Sequence, residues 1–422
     1  MKTVNAEGIF DQAASLERSE TRGLAFALGF FFSFRLSIVL ITVRLLGVDP
    51  GAGSAVSLGL DLILLGLICF SSLGDHRKEV PPTLRLPSVQ WVLLYLAFAA
   101  LSLMWSESAS LPNSVAYWLG LVIDVSSVAL LLRGETGQGD AQALMKGFIW
   151  SSCFLALAAW VMPVQADLRL GDEQFFNTNE IGNLCVMALF FAQYLTRRDQ
   201  GSWRFAKLLL VITLIRSLSK STILAFLTSQ AFLLIMDRSM RRKTKVLLLL
   251  SALLLIGVFW GLFEAYYDVY TTAGNQAETI TGRTAIWLYV LGATFDHPWA
   301  LWIGHGFDSW WKVVPPFGFE KFEARHAENE VLQQFYAFGV AGVALLLGIY
   351  GSLFRQLRKL KRGPTRVLFL SMLIFILVRG LAVAGPFDLL LPLWSIIMLS
   401  VIVDREIAEN CSVPGSEIVI PL

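Results

Sequence analysis

The sequence predicts an all-α polytopic membrane protein of about twelve transmembrane helices, interrupted by one large outer loop. Three observations carry this: an apolar excess, the recurrence of apolar runs near 20 residues, and a one-sided distribution of basic residues between those runs. Of 422 residues, 55% are hydrophobic and 16% charged, with a mean hydropathy of +0.62. A soluble domain is usually roughly 45–50% apolar and about 25% charged, so the excess calls for a non-aqueous solvent. The net charge of +2 is too small to point to nucleic acid. Four cysteines (Cys69, Cys153, Cys185, Cys411) show neither metal spacing nor a disulfide framework, and the first three fall inside apolar runs, as buried free thiols would.

Reading apolar runs between charged or turn-rich breaks places the spans near 24–43, 54–73, 88–106, 114–132, 146–164, 180–196, 205–218, 221–236, 246–263, 330–354, 367–384 and 387–403. The pair 205–218 and 221–236 is split only by a tight connection at Ser219 and Lys220. Segment 1–22 is a mixed-charge tail without the apolar stretch that follows the basic start of a cleavable signal, so the first helix is expected to be retained. Segment 404–422 is a second short polar tail. The resulting organisation is an N-terminal bundle over 1–263, a large loop over 264–329, and C-terminal helices with a tail over 330–422.

Basic residues test the count. With the N-terminus inside, the inner loops hold clusters such as Arg238, Arg241, Arg242, Lys243 and Lys245, or Arg355, Arg358, Lys359, Lys361, Arg362 and Arg366. The short outer loops hold only Arg44, Arg169 and Lys220. This is the asymmetry that orients helices in a bilayer. It makes the 264–329 loop extracytoplasmic and both termini cytoplasmic, in an inner membrane with the outer loop facing the periplasm.

Charged groups inside spans are costly unless they face a partner or a cavity. Arg35, Asp61, Asp124, Arg216 and Arg379 are such groups. Arginine pairing with Asp61 or Asp124 is the structural explanation for the first three. Arg216 and Arg379 lie near outer helix ends, where binding an anion competes evenly with structural pairing. Other cationic and amide groups share that face: Arg169, Asn177 and Asn179 in QADLRLGDEQFFNTNE, Lys220 in SLSKS, Arg283 in TGRTAIW, and Arg325, His326 and Asn329 in ARHAEN. Arginine suits phosphate because its planar fork makes two parallel charge-assisted hydrogen bonds. Convergence of several cations at a membrane boundary suits a lipid-linked pyrophosphate.

The large loop carries Trp287, Trp299, Trp302, Trp310 and Trp311 with Phe295 and Phe307, while Ile286, Tyr289, Val290 and Ala293 recur at helical spacing. An interfacial amphipathic helix with aromatics at headgroup depth explains this, and a carbohydrate-stacking face is the sharper alternative. His297-Pro298 and Gly304-His305-Gly306 read as turns, with His305 open to close approach. His326, Asn329 and Glu330, at i, i+3 and i+4, are expected on one helix face. A histidine beside Arg325 and Glu328 can act as a general base, while a helix cap is the plainer explanation. Gly339 and Gly342 would admit a close neighbour.

These pieces resemble the superfamily of O-antigen ligases and Wzy-type O-antigen and exopolysaccharide polymerases. LSLMWSES (101–108), RLGDEQFFNTNEIGN (169–183), LSKSTILAF (218–226), TGRTAIWLYVLGATFDHPWALWIGHGFDSWW (281–311) and HAENEVLQQFYAFGVAG (326–342) follow the family order, and TGRTAIW leans toward the exopolysaccharide-polymerase branch. The resemblance implies a GT-C-like fold and glycosyl transfer without metal or cofactor. A glycan on undecaprenyl pyrophosphate would pass to a hydroxyl of another glycan or of lipid A-core, with polymerase favoured over ligase. Arg169, Lys220 and Arg283 would hold the leaving pyrophosphate, assisted by Arg216, Arg325, Asn329 and Arg379, and His326 or Glu328 would activate the acceptor. Two positions depart from the pattern: Lys220 replaces the usual arginine, and Glu328 stands where the family has a histidine directly before asparagine. A multi-pass transporter or flippase is the alternative, though transporters usually show paired repeats and midplane-broken helices.

Overall fold

A computed structural model describes residues 6–44, 46–47, 50–72, 82–134, 136–163, 165, 168–171, 176–273, 280–310, 326–385 and 387–412. Among these residues every regular element is helical. In chain order the helices are α1 (Ala6–Arg44), α2 (Pro50–Ser72), α3 (Pro87–Ser102), α4 (Leu111–Leu131), α5 (Gly137–Val161), α6 (Thr178–Arg197), α7 (Arg204–Arg216) and α8 (Lys220–Met236). They continue as α9 (Arg242–Val258), α10 (Trp260–Ala273), α11 (Ile280–Phe295), α12 (Pro298–Ile303), α13 (Glu330–Lys359), α14 (Pro364–Gly380) and α15 (Leu393–Ser412).

Each expected span falls on a helix, but fewer helices meet the length and apolarity that crossing demands. Five do so outright (α1, α2, α4, α5 and α13), and the pair α9–α10, bent by 47°, makes a sixth if it is one broken span. The remainder are shorter or more polar; α7, with 13 residues, is only about 20 Å long at 1.5 Å per residue. The chain is thus a multi-pass helical membrane protein by composition, and the count of twelve crossings stays an expectation.

Three details correct the sequence reading. The N-terminal polar segment is helical from Ala6 rather than a tail. The last span begins at Leu393, not near 387, because Pro392 has no amide to donate and the Asp388 carboxylate accepts the Leu393 N–H at 3.3 Å and the Leu389 N–H at 2.7 Å. Cys69 is exposed rather than buried, whereas Cys153 and Cys185 are buried free thiols.

The core runs through the middle of the bundle. Trp394 of α15 stacks on Phe32 of α1 at 4.3 Å and also meets Phe148 of α5, in a cluster that includes Phe190, Phe191 and Phe375. Such aromatics bury large areas and fix the approach of their helices. By contrast α9 turns Leu247, Leu250, Leu253 and Leu254 outward, as a lipid-facing helix does.

Candidate active site

The site gathers where α13 begins, because the chain there is forced into a turn rather than a helix. Glu328 adopts φ +52°, a left-handed conformation uncommon for a non-glycine residue. Asn329 then caps α13, its side-chain oxygen accepting the Leu332 N–H at 3.1 Å. His326, Asn329 and Glu330 therefore do not share a helix face as expected; the helix starts only at Glu330. The turn is held from both sides. The Ala327 N–H donates to Gln333 Oε1 at 2.8 Å, and the Ala327 carbonyl accepts the indole N–H of Trp287 at 3.0 Å. A small apolar core of Ile286, Val290, Trp310, Ala327 and Tyr336 lies beneath it, so Trp310 is a packing residue while Trp299 and Trp302 remain exposed.

This turn brings the three residues singled out for chemistry into one cluster. Arg283 Nη2 lies 3.5 Å from Glu328 Oε2, and His326 Nδ1 lies 3.4 Å from Glu328 Oε1. The Glu328 backbone N–H also donates to His326 Nδ1 at 3.3 Å. Nδ1 can serve only one of these neighbours at a time. As an acceptor it takes the amide and leaves the proton on Nε2; protonated, it faces the carboxylate and frees Nε2 as a base. Arg283 Nε is buried without a partner among the described residues.

A second group adjoins the first. Arg379, 3% exposed at the end of α14, donates from Nε to Thr222 Oγ1 at 3.3 Å and from Nη2 to the Asn179 carbonyl at 3.2 Å, while its buried Nη1 has no partner among the described residues. Glu328 and Glu330 both act on it electrostatically, which ties the groups together. Ser219 donates to Asn179 Oδ1 at 2.6 Å and bonds Thr222 at 2.8 Å. The Lys220 ammonium sits 5.3 Å from the Tyr266 ring centroid, a cation–π distance. Arg216 donates to the Leu168 carbonyl at 2.7 Å, and so anchors the residue before Arg169.

The proposed ligands thus differ in how committed they are. Asn177 caps α6 by accepting the Glu180 N–H at 3.0 Å, and Asn329 spends its oxygen on its own cap and its amide on the Leu381 carbonyl at 3.4 Å. Arg325, along with Trp311, lies outside the described residues. Ser219 and Thr222 were not singled out for the site from the sequence, since hydroxyls at a helix start look like ordinary caps.

His305 also departs from its expectation. It is 3% exposed rather than open, stacked on Tyr336 at 4.5 Å with Nδ1 3.1 Å from Glu107 Oε2. Gly304 (φ +67°) and Gly339 (φ +62°) allow this. A Cβ on Gly304 would sit 2.4 Å from the Ala337 carbonyl, and one on Gly339 would sit 2.5 Å from Trp302. Gly339 breaks α13, and the Tyr336 and Ala337 carbonyls accept the His305 and Gly306 N–H groups at 3.0 and 2.8 Å. Gly342 meets its own helix, through Gln334 and Phe338, rather than a neighbour. Nearby, burial and the charge of Glu107 push the Tyr289 phenol up, and burial pushes the Asp308 carboxyl up against a 2.7 Å hydrogen bond from Ser114.

Among known proteins, residues 205–347 match the family described as O-antigen ligase. This stretch holds Arg216, Lys220, Arg283, His326, Glu328 and Asn329. An O-antigen ligase of Pseudomonas aeruginosa is 30% identical over 143 residues, which cover 34% of this chain and 33% of the relative. The chain therefore aligns with about a third of the length of the curated relative it matches. The similarity to the O-antigen ligase family is thus confined to this region, residues 205–347.

Proposed function

We propose that this chain is a glycosyltransferase of envelope polysaccharide assembly, working at the outer face of the bacterial inner membrane. It transfers glycan from an undecaprenyl-pyrophosphate donor to a hydroxyl of an acceptor, either another glycan or lipid A-core. The observation that carries the reading is the Arg283–Glu328–His326 cluster at the head of α13, within the stretch that matches the family. Glu328 bridges arginine and histidine. It holds His326 so that Nε2 can take the acceptor's proton as the new bond to the sugar forms, in the way a carboxylate orients a catalytic imidazole. Arg283, with Arg379, Lys220, Arg169 and Arg216, offers positive charge to the pyrophosphate that leaves with the bonding electron pair. TGRTAIW favours repeat-unit polymerisation, and the name of the relative favours ligation.

Glycan profiling of a deletion strain separates these outcomes. Single-repeat glycan identifies a polymerase, unligated lipid-linked polymer identifies a ligase, and unchanged glycan with lost uptake of a solute identifies a transporter. Complementation with Arg283→Ala or His326→Ala should fail to restore full-length glycan at normal membrane abundance. Removing one such electrostatic contact typically costs about 10²–10³ in rate, whereas the partly exposed Arg283–Glu328 pair stabilises the fold by only about 0–1 kcal/mol.

A further inference from the structure

Away from this site, three acids surround one arginine in the N-terminal bundle. Arg35 of α1 pairs with Asp124 of α4, Nη1 to Oδ2, at 2.6 Å. Asp61 of α2 is 4% exposed and Asp124 is 2% exposed, and the two carboxyls act on one another electrostatically. The Oδ1 atoms of Asp61 and Asp124 are both buried without a partner among the described residues. Asp388, ahead of α15, also acts on Arg35 and Asp124, and it too is an acid that brings no cation. Its Oδ1 is taken by the Leu389 and Leu393 amides.

The chemistry of these groups decides the charge. Ionised carboxylates only accept hydrogen bonds, and Asp61 Oδ1 and Asp124 Oδ1 are buried where no described donor reaches them, so a proton on the carboxyl is what removes the charge. Arg35 carries one positive charge and makes its ion pair with Asp124, so two ionised carboxylates beside it would leave a net negative charge. An unpaired ion at that depth would cost several kcal/mol, and two adjacent carboxylates would repel. Unlike a sugar or a phosphate, the missing partner must also fit where both oxygens are sealed from solvent.

We propose that Asp61 binds a proton, making an intramembrane proton site between α1, α2 and α4. The site needs nothing from the glycosyl-transfer reading and stands or falls separately. It seats α2, which packs chiefly against α1 and α4 and turns Leu62, Ile63 and Phe70 outward. Loss of the proton sets two carboxylates against each other across the α2–α4 contact.

Infrared spectroscopy of the full chain in lipid nanodiscs at neutral pH reads the carbonyl stretch of protonated carboxyls. The wild type minus Asp61→Asn difference should contain one such band, shifted by deuterium exchange. Asp61→Glu should move that band, which keeps the test available if Asp61→Asn does not fold. Asp61→Asn should hold the wild-type thermal midpoint, because an amide N–H can replace the carboxyl O–H, whereas Asp124→Asn should lower it by stripping Arg35 of its counter-ion. Absence of an Asp61-dependent band overturns the proposal. A sodium- or potassium-dependent rise in midpoint that Asp61→Asn abolishes also overturns it, since the occupant would then be a metal cation.

Discussion

Glu330 is expected to be a structural buckle, and its replacement by alanine is the sharpest test of how the site is held. The side chain is 3% exposed, and one oxygen, Oε1, accepts both the Tyr350 hydroxyl and the Leu390 N–H, each at 2.8 Å. It thereby ties the first turn of α13 to the middle of the same helix and to the segment entering α15, beside the buried Arg379. Glu330→Ala strands two buried donors at about 1–3 kcal/mol each, a loss of roughly 2–6 kcal/mol before the effect on Arg379 is counted. Glu330→Gln keeps a carbonyl oxygen where both donors point, so most of its cost is the lost attraction to Arg379. The assay is thermal unfolding of the purified chain in nanodiscs, with Tyr350→Phe added in both backgrounds. Glu330→Ala should melt well below Glu330→Gln, and Tyr350→Phe should add little to Glu330→Ala because the bond is already broken. Equal midpoints for the two Glu330 variants, or full additivity with Tyr350→Phe, would refute the buckle.

Three further expectations concern the same region. Asn329→Ala should cost about 1 kcal/mol as a lost helix cap, and Asn329→Ser should recover the stability; if Asn329→Ser remained as inactive in glycan assembly as the alanine form, the residue would be a ligand as well as a cap. Gly304→Ala should destabilise by at least about 1–2 kcal/mol from the left-handed backbone alone, with the clash against the Ala337 carbonyl added, and an unchanged unfolding midpoint would contradict the geometry. The Asp308 carboxyl is raised by burial, so the folded chain holds its proton more tightly than the unfolded chain. Its contribution is present at low pH and is lost as pH rises from about 4, the ordinary carboxylate value, through the folded value. Asp308→Asn should flatten that part of the stability–pH curve.

The five helices long and apolar enough to cross a membrane were legible because each is a long apolar run, and length and hydropathy survive any packing arrangement. Helix ends were less so. The start of α15 depends on Asp388 reaching forward to Leu393, and the start of α13 depends on the left-handed Glu328, which no periodicity marks. Arg283, His326 and Glu328 could be suspected from residue type, but their mutual contact comes from Trp287 and Gln333 clamping Ala327, one bond from 40 residues away and one from six, neither visible as a periodic pattern. His305 was misjudged for a related reason. Flanking glycines suggested openness, whereas here they let two backbones touch and bury the ring between them. The partner of Arg35 was narrowed to two aspartates by their place in spans, and only packing chose Asp124.

The break in α13 gives the segment between α12 and α13 a structural task. Where Gly339 interrupts the helix, the Tyr336 and Ala337 carbonyls give up their own ladder and take N–H groups from residues 305 and 306 instead. The 304–307 segment is therefore a splint, completing a helix that α13 leaves unfinished on its own. Buried carbonyls without donors are expensive where water is scarce, so the head of α13 and the 304–307 segment should fold, and fail, as one piece. Grafting a relative's loop onto this bundle would succeed only if the graft delivers two amides to the same break.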